Sequence, residues 1–225
     1  MKKVTAILLG TLIASSAALA QTNQVLSRNA VGYVKKTVEA DKLDFITMTF
    51  EALVPGGNTI SNVVPVASNN TALIVWNPTS QEYITYLRSK GNWGVAGSNV
   101  LPRGQSFFLR SPAGNNQQFF MMGEVPDRFS APTTSVSVVE GISAVSIAYP
   151  VDTVWTSTAI ASSLANNDQL IIWDYASQNY ITYLKAKGAW GVASNLVIKP
   201  GQGAFIRKFG AGTTTWQQPK PYTWP

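Results

Sequence analysis

The chain contains no cysteine and no histidine, and only 12% of its residues are charged. Each gap removes a class of chemistry. Without Cys there are no disulfides, no thiolate nucleophile and no iron–sulfur cluster. Without His, the Ser-His-Asp and Cys-His mechanisms disappear, as do the imidazole ligands favoured by zinc, copper and non-haem iron. The Ser-x-x-Lys pattern is missing as well, because no Ser stands three residues before any Lys. The Gly-rich pieces Gly91-Asn92-Trp93-Gly94 and Gly201-Gln202-Gly203 lack the spacing of a phosphate loop. No acidic loop of the EF-hand kind occurs. We therefore expect no cofactor and no metal site.

Also missing is an apolar run long enough to span a membrane. The one at the start, Ala6–Ala14, is short. Lys2 and Lys3 precede it and Ala18-Leu19-Ala20 follows it, the arrangement of a cleaved export signal over residues 1–20. A periplasmic, outer-surface or extracellular location follows, with no membrane span once the signal is removed. Lys2 and Lys3 leave with it, so the seventeen basic residues fall to fifteen against eleven acids, a net charge of +4. That excess suits attraction to anionic polymers or envelope surfaces or a plain solubility charge, and it lacks the dense basic stripe of a nucleic-acid binder. An outer-membrane barrel would need alternating strands of about ten residues along the whole chain. Here the strand signals are shorter and Pro-rich turns are frequent.

What is present is one stretch that occurs twice. Thr71–Ala96 and Asp168–Ala193 align without a gap and share 16 of 26 residues, including Leu73-Ile74/Leu170-Ile171, Trp76/Trp173, Tyr83-Ile84-Thr85-Tyr86-Leu87/Tyr180-Ile181-Thr182-Tyr183-Leu184 and Lys90-Gly91/Lys187-Gly188. Around it the strand signals keep the same order in both halves. Copy one reads as strands over 29–38, 43–51, 72–76, 83–87, 93–96, 105–110 and 117–122, with one short helix within 59–68. Copy two reads as strands over 136–140 and 144–149, a loop and short helix over 152–164, the duplicated block, and a strand over 204–207. Short strands, Gly/Pro punctuation and no long helical period argue an all-β class. The expected organisation is a signal peptide (1–20), a flexible lead (21–28), a first β-repeat (29–123), a Pro-bearing linker (124–132) and a second β-repeat (133–225). Each repeat would be a small sandwich or barrel-like unit with at most one short helix.

Three residue sets are candidates for function. The aromatic set is Trp76, Tyr83, Tyr86 and Trp93, with Trp173, Tyr180, Tyr183 and Trp190. It reads as a platform on which sugar rings stack, or alternatively as core packing and cross-strand pairs. Strand alternation puts Tyr83, Thr85 and Leu87 on one face and Ile84, Tyr86 and Arg88 on the other. The basic set, kept in both copies, is Arg88/Lys185, Lys90/Lys187 and Arg110/Arg207; it reads as an anion patch or as a charged edge that blunts strand pairing. The acids do not follow the duplication: Glu82 stands opposite Asn179 and Asp174 opposite Asn77. A carboxylate-pair hydrolase needs two acids at a set separation, for which Asp152, Asp168 and Asp174 are the alternatives. The binding candidates are thus Tyr86, Arg88, Lys90, Trp93, Tyr183, Lys185, Lys187 and Trp190.

Val31-Gly32-Tyr33-Val34 near the start of the mature chain, the Trp-ended strands, the Gly-Trp regions and Pro200-Gly201-Gln202 before Phe205 and Arg207 resemble a group of secreted bacterial β-repeat proteins. That group carries a VGYV-type start and pGqgFf-type strands. Copy one departs from it with Leu101-Pro102-Arg103-Gly104. The resemblance implies export and β structure; the group has no established activity, so no site residue is carried over. Taken together, the sequence points to a non-enzymatic exported protein of the cell envelope or its surroundings. Its expected role is structural, adhesive or glycan-binding, with polysaccharide or other envelope proteins as partners. A carbohydrate-active hydrolase using a carboxylate pair is the alternative.

Overall fold

The computed structural model describes residues 30–126 and 133–222. The expected signal peptide and lead, and the 124–132 join from 127 onward, lie outside the described residues. Strands dominate, as the all-β reading requires. The first half contains β1 (Val31–Val38), β2 (Leu43–Thr47), α1 (Ile60–Val63), β3 (Ala72–Asn77), β4 (Glu82–Leu87), β5 (Ser106–Arg110) and β6 (Gln117–Glu124). The second contains β7 (Thr133–Val138), β8 (Gly141–Ala144), β9 (Thr153–Val154), α2 (Ala159–Ser163), β10 (Gln169–Asp174), β11 (Asn179–Leu184), β12 (Val197–Ile198), β13 (Ala204–Lys208) and β14 (Thr214–Pro219). Among the described residues no helix is long and apolar enough to cross a membrane.

The chain builds two antiparallel four-stranded sheets in the orders β2-β5-β3-β4 and β8-β13-β10-β11. Their registers correspond: Trp76 pairs with Tyr83 and Trp173 with Tyr180, while Phe45 pairs with Phe108 and Ala144 with Phe205. One face of the first sheet, with Leu73, Val75, Phe107 and Leu109, closes a core under α1 and the β1–β6 ribbon. The second sheet does the same with Leu170, Ile172 and Ile206 under α2 and the β7–β14 ribbon. Period-two burial along β1 and β6 lets their ribbon present Val38, Phe119 and Met121 inward and Lys35, Gln118 and Met122 to water. Gly123 is required where β6 passes Phe50 and Glu51, since a Cβ there would lie 2.2 Å from the Glu51 carbonyl oxygen.

The opposite faces of the two sheets meet in a third apolar cluster of Phe45, Phe108, Ala144 and Phe205, flanked by Ile74, Trp76, Ile171 and Trp173. Backbone bonds join the sheets as well: the Thr47 N–H donates to Gly201 O at 3.0 Å and the Ser146 N–H to Gly104 O at 2.9 Å. Two side-chain amides complete the union. Gln81 accepts from Ile142 N at 2.7 Å and donates to Ile142 O at 3.0 Å; Gln178 accepts from Leu43 N at 2.9 Å and donates to Leu43 O at 3.0 Å. These contacts come in pairs with the halves exchanged, the pattern an approximate two-fold axis produces.

Three strand expectations are corrected. The strand expected over 144–149 lies earlier, at Gly141–Ala144, and beyond it only Val145 forms an isolated bridge, to Gln105. The run Trp93–Ala96 is not a strand: Gly94–Ser98 forms a 3-10 turn, as does Gly191–Asn195 in the second half. Gly94 (φ 58°) and Gly191 (φ 54°) sit in the left-handed region, which breaks an extended run at its second residue. The strand expected over 43–51 stops at Thr47, because Met48 faces two successive residues of its partner, bonding Gln105 O and Gly104 N, and the regular ladder breaks there.

Candidate functional site: an aromatic surface between the sheets

The eight binding candidates are placed as follows. Trp93 and Trp190 are core residues, 5% and 4% exposed. Their indole N–H groups donate to Val64 O at 2.8 Å and Ala161 O at 2.9 Å. Arg88 and Lys185 are also buried, 8% and 7% exposed. Arg88 donates to Pro65 O at 2.9 Å and to Gly91 O at 2.6 Å. Lys185 donates to Ala161 O at 2.9 Å, Ser162 O at 3.0 Å and Leu164 O at 2.7 Å. The physical reason is common to all four. A short helix ends with carbonyls that have no partner of their own, and a cation together with an indole N–H supplies the donors. Tyr86 and Tyr183 are half-buried against their cores. Only Lys90 and Lys187 are exposed, each at φ 50° in a tight turn. The eight residues are therefore not gathered into one surface.

The other half of the aromatic set is. Cross-strand pairing in the β3–β4 hairpin sets Trp76 edge-on to Tyr83 at 4.8 Å between ring centroids, and the β10–β11 hairpin sets Trp173 to Tyr180 at 4.9 Å. The two hairpins then bring the phenol oxygens of Tyr83 and Tyr180 to 3.0 Å, across the line where the sheets meet. Both tyrosines remain 48% exposed. Behind them Phe45 stacks on Phe108 and on Phe205, at 4.3 Å each. The Trp76 indole N–H reaches Ile142 O at 2.7 Å and that of Trp173 reaches Leu43 O at 3.0 Å, which fixes both rings.

Beside the tyrosine pair lies an open cavity of about 240 Å³. Tyr83, Tyr180, Phe205, Ile142 and Ile171 supply its apolar lining, and Gln169, Thr182 and Arg207 its polar groups. The Arg207 guanidinium lies over the Phe209 ring, 4.6 Å from its centroid. Burial of the Tyr83 ring, reinforced by the hydrogen bond with Tyr180, pushes its phenol far above the ordinary range. Neutral hydroxyls, an amide and a guanidinium around flat apolar rings suit the two sides of a sugar, its C–H face and its hydroxyl rim.

The acids are distributed elsewhere. Asp41 pairs with Arg110 at 3.4 Å, Glu51 with Arg103, and Asp152 with Lys199 at 2.6 Å. Asp44 is held by Lys36 at 3.4 Å, while burial raises its pKa. Asp168 accepts from the Ala165 and Phe209 N–H groups, both at 2.8 Å. Asp174 organises its own turn, where the Ser177 hydroxyl holds its pKa low. Among the described residues none of these carboxylates lines the 240 Å³ cavity or three further cavities of 340–560 Å³. Among the described residues no three potential metal ligands cluster.

Gln169, Thr182 and Arg207 were not singled out as a group from sequence, since they converge only when β10 pairs with both β11 and β13 in the second sheet. The signal that could have found Tyr83 and Tyr180 is the strand alternation itself, which puts them on the face away from Tyr86 and Arg88. No known family model, curated protein or solved structure matches the chain.

Proposed function

We propose that this is a non-enzymatic exported protein of the cell envelope or its surroundings that holds a polysaccharide on the Tyr83–Tyr180 surface. The observation that carries the reading is the exposed tyrosine pair, backed by buried Phe rings and bordered by Gln169, Thr182 and Arg207. Its rigidity supports the same reading. Rings fixed by indole–carbonyl bonds and stacking lose little freedom when a ligand arrives, so more of the contact energy appears as affinity. A hydrolase has less support, because Asp41, Asp44, Glu51, Asp152, Asp168 and Asp174 are engaged in ion pairs, caps and turns away from the cavities. Export through residues 1–20 belongs to the same proposal and follows from the leader pattern.

The test is binding of the mature chain to a panel of soluble polysaccharides, read by retardation in polysaccharide-containing native gels and by tryptophan fluorescence. Trp76 and Trp173 pack against the tyrosine pair and would report occupancy. The Tyr83→Ala/Tyr180→Ala variant should lose retardation, whereas Lys90→Ala/Lys187→Ala should keep it. Equal retardation of the tyrosine variant and the parent would overturn the glycan reading.

A further inference from the structure

Two four-stranded sheets have four edges, and this fold covers two of them. On β2 the Gln178 amide takes both backbone groups of Leu43, and Gly203 donates to Phe45 O at 2.9 Å. On β8 the Gln81 amide takes both groups of Ile142. Among the described residues the opposite edges, β4 and β11, have no strand beside them. The Arg88 N–H donates inward to Thr71 O at 2.9 Å and the Lys185 N–H inward to Asp168 O at 3.0 Å. Alternation along an antiparallel ladder then turns the N–H and C=O groups of Tyr83, Thr85 and Leu87 outward, and likewise those of Tyr180, Thr182 and Leu184.

Natural sheets guard such edges with Lys, Pro, bulges or very short strands. Here none of these guards is present. Tyr83–Leu87 and Tyr180–Leu184 are the same five residues, Tyr-Ile-Thr-Tyr-Leu, with no charge, Gly or Pro among them. Tyr83, Ile84 and Leu87, and Tyr180, Ile181 and Leu184, are all exposed. The segment also matches itself when reversed. Paired antiparallel about its Thr, it sets Thr on Thr, Ile on Tyr and Tyr on Leu, the aromatic and β-branched pairs that stabilise sheets, with no like charges opposed. The outward-facing residues become the hydrogen-bonded pairs of that ladder, each exchanging both backbone bonds with its opposite number.

We propose that copies of this chain pair edge to edge through β4 and β11. The occupant is a second copy because the edge is complementary to itself and occurs twice on each molecule. Two equivalent edges on one molecule extend an assembly rather than cap it at a dimer. The inference uses the backbone edge of these strands and not the ring faces; Thr182 also lines the cavity, so the β4 edge, through Thr85, tests it apart from glycan binding.

Sedimentation velocity of the mature chain across a wide concentration series tests it. Thr85→Pro removes an outward N–H from β4 and Thr182→Pro does the same on β11. Neither residue donates to its own sheet, and Pro is tolerated on such edges. The Thr85→Lys/Thr182→Lys variant keeps the backbone and adds a charge guard, in case Pro disturbs folding; far-UV circular dichroism checks each variant. The expected result is parent mass rising past the dimer with concentration, each single variant stopping at dimers, and each double variant staying monomeric. A parent that is monomeric at every concentration overturns the proposal and leaves the edges to a strand from another protein. Double variants that assemble like the parent overturn it too.

Discussion

Arg88 and Lys185 differ in chemistry yet occupy the same place relative to their short helices. Arg88 reaches Val64 O and Pro65 O; Lys185 reaches Ala161 O and Ser162 O, ninety-seven residues on in each case. A donor cation is needed there because the carbonyls are buried beside an indole ring. Lys185→Met keeps the apolar stem and removes the donors, leaving buried carbonyls unpaired at a cost of about 2 kcal/mol. In a chain of this size that corresponds to a fall of roughly 4–8 °C in Tm. Lys185→Arg, which copies the solution at Arg88, should retain most of the stability, and calorimetry on the two variants separates donor loss from general damage. The tyrosines set the alkaline limit. Tyr83 and Tyr222 both ionise above the ordinary 10.0, Tyr222 pushed up to about 12, in each case chiefly by burial. A folded pKa above the unfolded one means the stability contribution is complete below pH 10 and is lost as pH rises from there. Urea midpoints should therefore hold from pH 7 to about 9 and fall between about 10 and 12, with a smaller fall in Tyr83→Phe. A midpoint that does not move over that range would count against the buried-phenol account.

The hairpins were legible in sequence because their causes are local. Asn77 accepts from the Thr79 and Ser80 N–H groups and Asp174 from those of Ala176 and Ser177, so each turn is written in the residues that make it. Alternation along Tyr83–Leu87 then assigns faces without reference to the rest of the chain. The 3-10 turn after Trp93 was not legible, since Trp-Gly-Val-Ala carries the composition of a strand and only the sign of one φ distinguishes it. The exposed aromatic surface was half legible. The aromatic set contains Tyr83 and Tyr180, which form it, but the choice of Trp93 and Trp190 went to the pair that caps helix ends. Gln81 and Gln178 gave no signal at all, although each acts as a piece of strand across the gap between sheets. Replacing both with Ala removes the four hydrogen bonds they make to backbone groups across the gap, besides one each within their own turns. At about 1 kcal/mol each, the loss should be roughly 3–5 kcal/mol, measured as a fall in the urea midpoint. The two single variants should each show about half of it, because they act at separate edges.

Whether the molecule behaves as one body turns on the centre of the contact between its sheets, where the near two-fold pattern is broken. Phe45 lies between Phe108 and Phe205, and the position that corresponds to it in the second sheet is Ala144. The glycine at 203 belongs to the same device, since a Cβ there would lie 2.7 Å from the Phe45 ring. A two-fold axis brings equivalent side chains face to face, and a close-packed interior has room for one such ring and not two. The asymmetry is thus a packing consequence of joining two like faces. Phe45→Ala leaves a cavity in contact with both sheets and should cost about 3–5 kcal/mol. If the sheets fold as one unit, that cost lowers a single transition, and tryptophan fluorescence and circular dichroism give the same midpoint. If the halves unfold separately, the variant splits the curve, with Trp155, Trp190 and Trp216 of the second core reporting a later step than the secondary structure of the first. Ala144→Phe in the parent should also destabilise, by about 1–3 kcal/mol from overpacking. A neutral outcome there would mean that the space beside Phe45 is open and that the single ring is not forced by the two-fold contact.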